Sequence, residues 1–108
     1  MFKIGYKVVN GTAQSWWSAV IGQSVAYRRN QWTRPQKGNG PLAVFVDQAT
    51  ARGFWKVQAC DAIFQVVYEP SREKSIWIRD EQSRSLDDLP YGTRLAKRVM
   101  LLKKERTT

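Results

Sequence analysis

The chain of 108 residues contains no histidine and a single cysteine, Cys60. It therefore lacks the commonest general base near neutral pH, which is also the commonest metal ligand. One cysteine permits neither a disulfide within the chain nor a multi-cysteine metal site, and we expect Cys60 to be a small buried hydrophobic residue. Serine–histidine and cysteine–histidine hydrolases are excluded, and we favour a protein with no catalytic residues, no cofactor and no metal.

Long apolar stretches are also missing. No segment approaches the roughly 20 apolar residues of a membrane-spanning helix, and the first residues lack the apolar run of a signal peptide. These absences predict a soluble protein of a reducing compartment that contacts no membrane.

Acidic residues are absent from the first 46 positions, which carry six lysines and arginines. Residues 47–93 carry six basic against eight acidic residues, and residues 94–108 carry six basic residues against Glu105 alone. The net charge of +9 therefore resides in the two ends of the chain. Such a field attracts polyanions, of which nucleic acid is the most common, or acidic proteins. The alternative is that the charge only keeps the protein in solution.

Apolar and aromatic residues are sufficient for one core, since 43% of the chain is hydrophobic and five residues are tryptophan. At this length we expect a single domain spanning residues 1–108. The patterns predict an α+β fold, with a mostly antiparallel sheet of about five to seven short strands and one short helix over about 47–57. Asp47 is the expected N-cap of that helix.

Period-two alternation and β-branched or aromatic runs locate the strands. The predicted strands cover residues 2–9, 17–21, 24–28, 42–46, 62–68, 75–79 and 95–103. The first is expected to be half buried, with one face made of Phe2, Ile4, Tyr6 and Val8 and the other of Lys3, Gly5 and Lys7. Turns are expected at Asn10–Gly11 and Gly22–Gln23, and loops over 29–41 and 80–93. The last strand is ambiguous, because its apolar residues also fit helical spacing.

One segment mixes aromatic, basic and amide side chains at a strand end and loop. Its predicted contact residues are Tyr27, Arg28, Arg29, Trp32, Arg34 and Lys37. Arginine and lysine neutralise phosphates, while tryptophan and tyrosine stack on unpaired bases. Tyrosine, tryptophan and arginine are equally enriched in protein–protein hot spots. A third interpretation is that Trp32 packs on the core and the arginines are only solvated.

A second basic cluster lies near the C-terminus. Its members are Arg94, Lys97, Arg98, Lys103, Lys104 and Arg106. We take Lys103 and Lys104 as a weaker second set of binding residues, with a solvated face as the alternative. The adjacent pair Trp16–Trp17 predicts one outward tryptophan, because neighbouring strand residues face opposite ways, unless both faces are covered.

Four segments resemble a class of small uncharacterised phage and prophage proteins. They are Gly5–Val9, Trp32–Pro35, Gly40–Phe45 and Pro90–Ala96. This resemblance implies a phage or mobile-element origin and a location in the host cytoplasm. The strand and helix over 42–55 are also similar to the ADP-ribosyltransferase-like fold, whose active members use an arginine or histidine on the first strand and a glutamate on a later one.

In this chain the first strand offers Lys3 and Lys7 instead, and Glu69 stands at a later strand end. We therefore expect a non-catalytic binding module whose basic, Trp/Arg-rich surface engages nucleic acid or an acidic host protein. An ADP-ribosyltransferase-like enzyme, or its inactive relative, is the alternative.

Overall fold

A computed structural model describes residues 1–12, 15–18, 25–58, 60–78 and 82–105. The strands are β1 (Lys3–Thr12), β2 (Ser15–Ser18), β3 (Ala26–Tyr27), β4 (Trp32–Thr33), β5 (Leu42–Phe45), β6 (Ala62–Pro70), β7 (Ser75–Ile78), β8 (Gln82–Ser85) and β9 (Thr93–Lys104). One helix, α1 (Gln48–Gln58), joins β5 to β6, and a short 3₁₀ helix covers Leu86–Asp88. The predicted α+β class, with one helix and mostly antiparallel strands, is confirmed.

Four strands form a closed ring of antiparallel pairs. Strand β6 pairs with β1 on one side and β9 on the other. Strand β5 closes the opposite side, pairing with β9 over four residues and with β1 through Tyr6 and Phe45. Strands β2 and β3 continue outward from β1, β4 continues from β9, and β7 and β8 form a separate hairpin. The result is a narrow four-stranded barrel, extended by β2 and β3 from β1 and by β4 from β9.

The barrel separates two apolar cores. The inner core lies inside the ring, and its larger members include Val44, Phe64 and Leu101. The outer core lies between the ring and α1 and includes Phe45 and Ile63. Strands buried on both faces appear in the sequence as nearly continuous apolar runs, as in residues 42–46 and 62–68.

Strand β1 differs from the predicted half-buried strand. Phe2 and Ile4, expected on the buried face, are 51% and 54% exposed, whereas Lys7 is fully buried. Lys7 points into the ring, where its ammonium donates to the carbonyl of Ala43 and lies 5.3 Å from the Tyr27 ring centre. Burial lowers the pKa of Lys7 to about 7. For Phe2, Ile4 and Lys7 the prediction was wrong, because ring closure buries the inner side of β1 whatever its side chains. For Val8 and Tyr6, predicted on the same face as Phe2, packing against the outer core confirms it.

Asp47 caps α1 as predicted. Its Oδ1 accepts from the Thr50 backbone N–H at 2.8 Å and from the Thr50 hydroxyl at 2.9 Å. These hydrogen bonds satisfy a free amide of the first turn and hold the pKa of Asp47 below its usual value. The helix covers Gln48–Gln58, within one residue of the predicted range at each end.

Three predicted irregular segments contain strand. Asn10–Gly11 does not turn the chain, since Asn10 pairs with Trp17 and the Gly11 amide donates to Asp61 Oδ2 at 2.7 Å. The predicted loop over 29–41 contains β4, and that over 80–93 contains β8. Strands β4 and β8 are too short to show a period of their own, so only pairing with a partner strand defines them, whereas Asn10–Gly11 continues the long strand β1.

Other predictions are confirmed in part or fall outside the described residues. The ambiguous C-terminal segment is strand, since β9 spans Thr93–Lys104. Cys60 is half buried and packs against the outer core. The predicted turn at 22–23 and the side chains of Trp16–Trp17 lie outside what the structure describes. Within the described residues, no helix is long and apolar enough to cross a membrane.

Candidate nucleic-acid interface

The pairing of β4 with β9 brings the two basic segments of the chain together. Trp32 pairs with Met100 and Thr33 with Val99. Just upstream, the Asn30 amide donates to the Leu101 carbonyl at 2.8 Å. The aromatic and basic segment near residue 30 therefore lies beside the C-terminal basic cluster, a proximity that the sequence left open.

A tight turn presents the first two arginines. The Gln31 amide donates to the Arg28 carbonyl at 3.3 Å, and Asn30 adopts a positive φ of 62°. Asparagine tolerates this left-handed conformation better than most residues, which explains its presence in the turn. Arg28 and Arg29 are both exposed. Arg29 also donates from Nη2 to the Leu102 carbonyl at 3.2 Å, which ties it to β9.

Two aromatic rings and one guanidinium form the centre of the site. The ring centres of Phe2 and Trp32 are 5.3 Å apart with planes inclined by 34°. The Arg98 guanidinium carbon lies 4.3 Å from the Trp32 ring centre and 5.1 Å from that of Phe2. Such cation–π contacts orient the guanidinium on the rings. Because Trp32 is 37% exposed and Phe2 51% exposed, this cluster faces solvent.

Glu69 on β6 forms ion pairs with two cationic side chains of β9. Arg98 Nε donates to Glu69 Oε1 at 2.9 Å, and Lys97 Nζ lies 3.8 Å from Oε2. The hydrogen bond from Arg98 is the main cause of the lowered pKa of Glu69, and the charges of Arg98, Lys97 and Arg34 add to it. One carboxylate is thus opposed by three cations, and the local charge stays positive.

A shallow groove of about 390 Å³ adjoins this cluster. Its polar and aromatic lining comes from Arg28, Gln31, Trp32, Thr33, Arg34 and Gln36. Two guanidinium groups, two amides and an indole therefore border one open depression. This composition suits an extended polar ligand with planar groups.

The structure brings together several of the predicted site residues. Together with newly found neighbours they form what we call the basic aromatic surface: Phe2, Arg28, Arg29, Trp32, Arg34, Lys97 and Arg98. Lys103 and Lys104 are exposed at the end of β9, next to Leu102, whose carbonyl accepts from Arg29. As neighbouring strand residues they face opposite ways, so at most one of them lies on the side of Arg29. Lys37 is exposed in the turn that follows the groove and does not line it.

Tyr27 is a correction to the predicted set. It is fully buried in the inner core, beside Lys7, and is not available to a ligand. Its strand-end position suggested exposure, but β3 extends the barrel wall and turns this ring inward. Burial raises the pKa of its hydroxyl, which has no hydrogen-bond partner among the described residues.

Sequence reasoning did not assign Phe2 and Arg98 to the site. The alternation of β1 predicts a buried Phe2, and the sequence indicates Arg98 only as a member of the C-terminal basic cluster. Their proximity depends on the alignment of β1, β6, β9 and β4 across the sheet, which no local pattern reveals. Arg106 lies outside the described residues.

Comparisons with protein-family models, curated proteins and solved structures find no match to this chain. The described residues contain no group of three or more histidine, cysteine, aspartate or glutamate side chains suited to a metal ion. The site is therefore interpreted from its geometry.

Proposed function

We propose that the protein is a non-catalytic binding module that engages nucleic acid with unpaired bases through the basic aromatic surface. The observation that carries this proposal is the contact of Arg98 with Trp32 at 4.3 Å, within the β4–β9 pair that joins the two basic segments. Phage or mobile-element origin and residence in the host cytoplasm belong to the same proposal.

The charge distribution supports a polyanionic partner. Lysines and arginines from both ends of the chain converge on the basic aromatic surface, while Glu69 is the one carboxylate paired with them among the described residues. A polyanion bound there releases counterions, which drives association at low salt.

The exposed rings favour unpaired bases over a duplex. Trp32 and Phe2 lie on an open sheet face, and aromatic side chains on such faces stack with bases that are free of a duplex. Gln31 and Gln36 in the groove can bond to base edges. A duplex presents phosphates but hides the base faces, so it would use only the cationic part of the surface.

Fluorescence anisotropy with a short labelled single strand tests the proposal. We expect affinity to fall steeply between about 50 and 200 mM salt. The double variant Arg28→Ala with Arg29→Ala should reduce the slope of log K against log salt by about 0.7 for each phosphate that is no longer neutralised. The matched control, Lys56→Ala with Arg84→Ala, removes the same charge elsewhere and should leave the slope nearly unchanged. No binding of DNA or RNA at low salt would refute the proposal.

An acidic host protein is the other partner that this surface can accept. Affinity capture from host lysate, with and without nuclease, separates the two partners. A nucleic-acid module loses its captured material on nuclease treatment. A defined protein that survives nuclease and is lost with Trp32→Ala would replace nucleic acid as the partner.

Glu69 distinguishes the binding module from the ADP-ribosyltransferase-like alternative. In a binding module, Glu69→Gln removes a negative charge from the basic aromatic surface and should strengthen nucleic-acid binding. In an NAD-dependent transferase, the same change removes the carboxylate that catalysis requires. Measurable NAD binding with activity lost in Glu69→Gln would favour the enzyme.

A further inference from the structure

A second cavity, of about 340 Å³, lies at the end of the barrel where residues 71–74 pass the start of β1 and β9. The segment is fixed at both ends. The Ser71 amide donates to the Leu95 carbonyl at 2.9 Å, and the Leu86 amide donates to the Lys74 carbonyl at 2.8 Å. The part of the cavity wall formed by residues 71–74 therefore has a backbone that hydrogen bonds hold at both ends.

Three cations line this cavity, from three different elements: Lys3 from β1, Lys74 from the segment after β6, and Arg94 from β9. Among the described residues of the lining, Glu73 is the one carboxylate, so their formal charge is positive. Within the described residues, ion pairs are found at Glu69, and none involves these three cations. Arg94 Nη1 donates to the Thr93 carbonyl at 3.0 Å, so one of its donors is already engaged, while the charge of all three groups is without a paired carboxylate among the described residues.

Two hydroxyl groups add neutral hydrogen-bond donors. Tyr68 lines the cavity while its residue surface is 3% exposed, and burial raises the pKa of its hydroxyl, against the opposing charge of Arg94. The hydroxyl thus stays protonated at neutral pH. Ser71 Oγ accepts from the Glu73 amide at 3.1 Å, which leaves the hydroxyl hydrogen free to donate elsewhere.

The remaining wall is apolar. Ile4, Leu86 and Leu95 line the cavity beside its polar groups, and so offer contact to an organic moiety. The volume lies at the lower end of the range for small-molecule sites, about 300–1,000 Å³. Cations, hydroxyls and an apolar wall together match a small organic anion.

We propose that this cavity binds a phosphate monoester. Such a group carries about −1.5 to −2 charges at neutral pH and three strong acceptor oxygens, which the three cations and two hydroxyls complement. The ester can come from a free nucleotide or from the terminal phosphate of a strand. The second source rests on the proposed function: Lys3 follows Phe2, and Pro70 follows Glu69, so the cavity borders the basic aromatic surface.

Amide NMR titration with adenosine 5′-monophosphate, and with adenosine as the comparison, tests the site itself. We expect saturable shifts at Ser71 and Glu73 with the monophosphate and none with adenosine. Lys74→Gln should weaken binding about tenfold or more, as expected for loss of a charge-assisted hydrogen bond. Lys56→Gln is the matched control and should change little.

A substitution of Glu73 should change the affinity for the monophosphate in the direction opposite to Lys74→Gln. Glu73→Gln removes the negative charge from the lining and should strengthen monophosphate binding, while Asp88→Asn, outside the lining, should not. Thermal unfolding checks that each variant folds, and all four positions are exposed. Absence of saturable shifts, equal binding of adenosine, or equal losses in Lys74→Gln and Lys56→Gln would overturn the proposal.

Single strands with a 5′-phosphate, a 3′-phosphate or two hydroxyl ends identify the source. A phosphate-dependent gain in affinity that Lys74→Gln abolishes assigns the cavity to strand ends. Monophosphate binding without that gain assigns it to free nucleotides. If the strand with hydroxyl ends fails to bind, the proposed function fails, and the adenosine 5′-monophosphate titration still decides the cavity on its own.

Discussion

The outer face of the barrel has a covered end and an open end. At the covered end, Phe45 and Ile63 are buried beneath α1. At the open end, Phe2, Ile4 and Trp32 remain between about one-third and one-half exposed. Strands β1 and β6 run through both ends, so the same sheet supplies a core and a surface.

The difference shows that a helix of three turns cannot cover this sheet. The uncovered end keeps its aromatic residues, and arginines and lysines surround them. Exposed apolar groups rimmed by charge mark contact sites on small proteins. Variants at the two ends should therefore separate stability from binding.

Phe45→Ala should have the largest effect, and on stability alone. Phe45 is 2% exposed and its ring centre lies 5.3 Å from that of Phe54 on α1. Truncation leaves a cavity that should cost about 3–5 kcal/mol in the free energy of unfolding, measured by urea denaturation. The folded fraction should bind a single strand with unchanged affinity. A loss below about 1 kcal/mol would show that the covered end is not a true core.

The second-largest effect is expected from Lys7 on the inner side of β1, as a dependence of stability on pH. Its folded pKa of about 7 lies below its ordinary value of 10.5, so the unfolded chain binds more protons between these limits. Unfolding free energy should therefore rise from pH 7 to pH 9.5, on the order of 3 kcal/mol, and the gain is lost as the pH falls back.

Lys7→Met should remove most of this pH dependence and raise stability at pH 7, measured as denaturation midpoints at both pH values. Binding of a single strand should not change, because Lys7 is fully buried. A wild-type profile that is flat over this range would contradict the lowered pKa.

Trp32→Ala, at the open end, should impair binding rather than stability, the reverse of Phe45→Ala. Loss of a stacking ring should weaken binding of a single strand by about 1–3 kcal/mol, or roughly tenfold to a hundredfold. Stability should change less than for Phe45→Ala, since Trp32 is partly exposed. Trp32→Phe is the control and should retain part of the affinity. Large destabilisation without loss of affinity would show that the open end contributes to stability and not to binding.

Asp47→Ala should give the smallest effect. The helix loses the hydrogen bond from the Thr50 amide, so the thermal midpoint should fall slightly. Because the pKa of Asp47 is lowered in the fold, its contribution is present above the ordinary pKa and is lost as the pH falls through the folded value. Asp47→Asn retains an acceptor and should fall less. A binding change in either variant would link the covered end to the open one.

Local patterns were sufficient for the main elements. The apolar runs at 42–46 and 62–68 and the capping aspartate before α1 each specify their structure within a few residues. The strands β4 and β8 could not be predicted, because two residues in β4 and four polar residues in β8 carry no period, and both segments become strands only through hydrogen bonds to a partner. The inward direction of Lys7 follows from ring closure, and that of Tyr27 from the pairing of β3 with β2; no single strand encodes either.

The sequence by itself determined that catalysis by histidine is excluded, that positive charge is in excess at both ends, and that residue types able to bind a polyanion are present. Only the tertiary structure decided that these ends adjoin, that Arg98 lies on Trp32, and that Tyr27 is buried. The physical reason is that composition is additive along the chain, whereas a surface is made by strand register, which places residues 66 positions apart in contact.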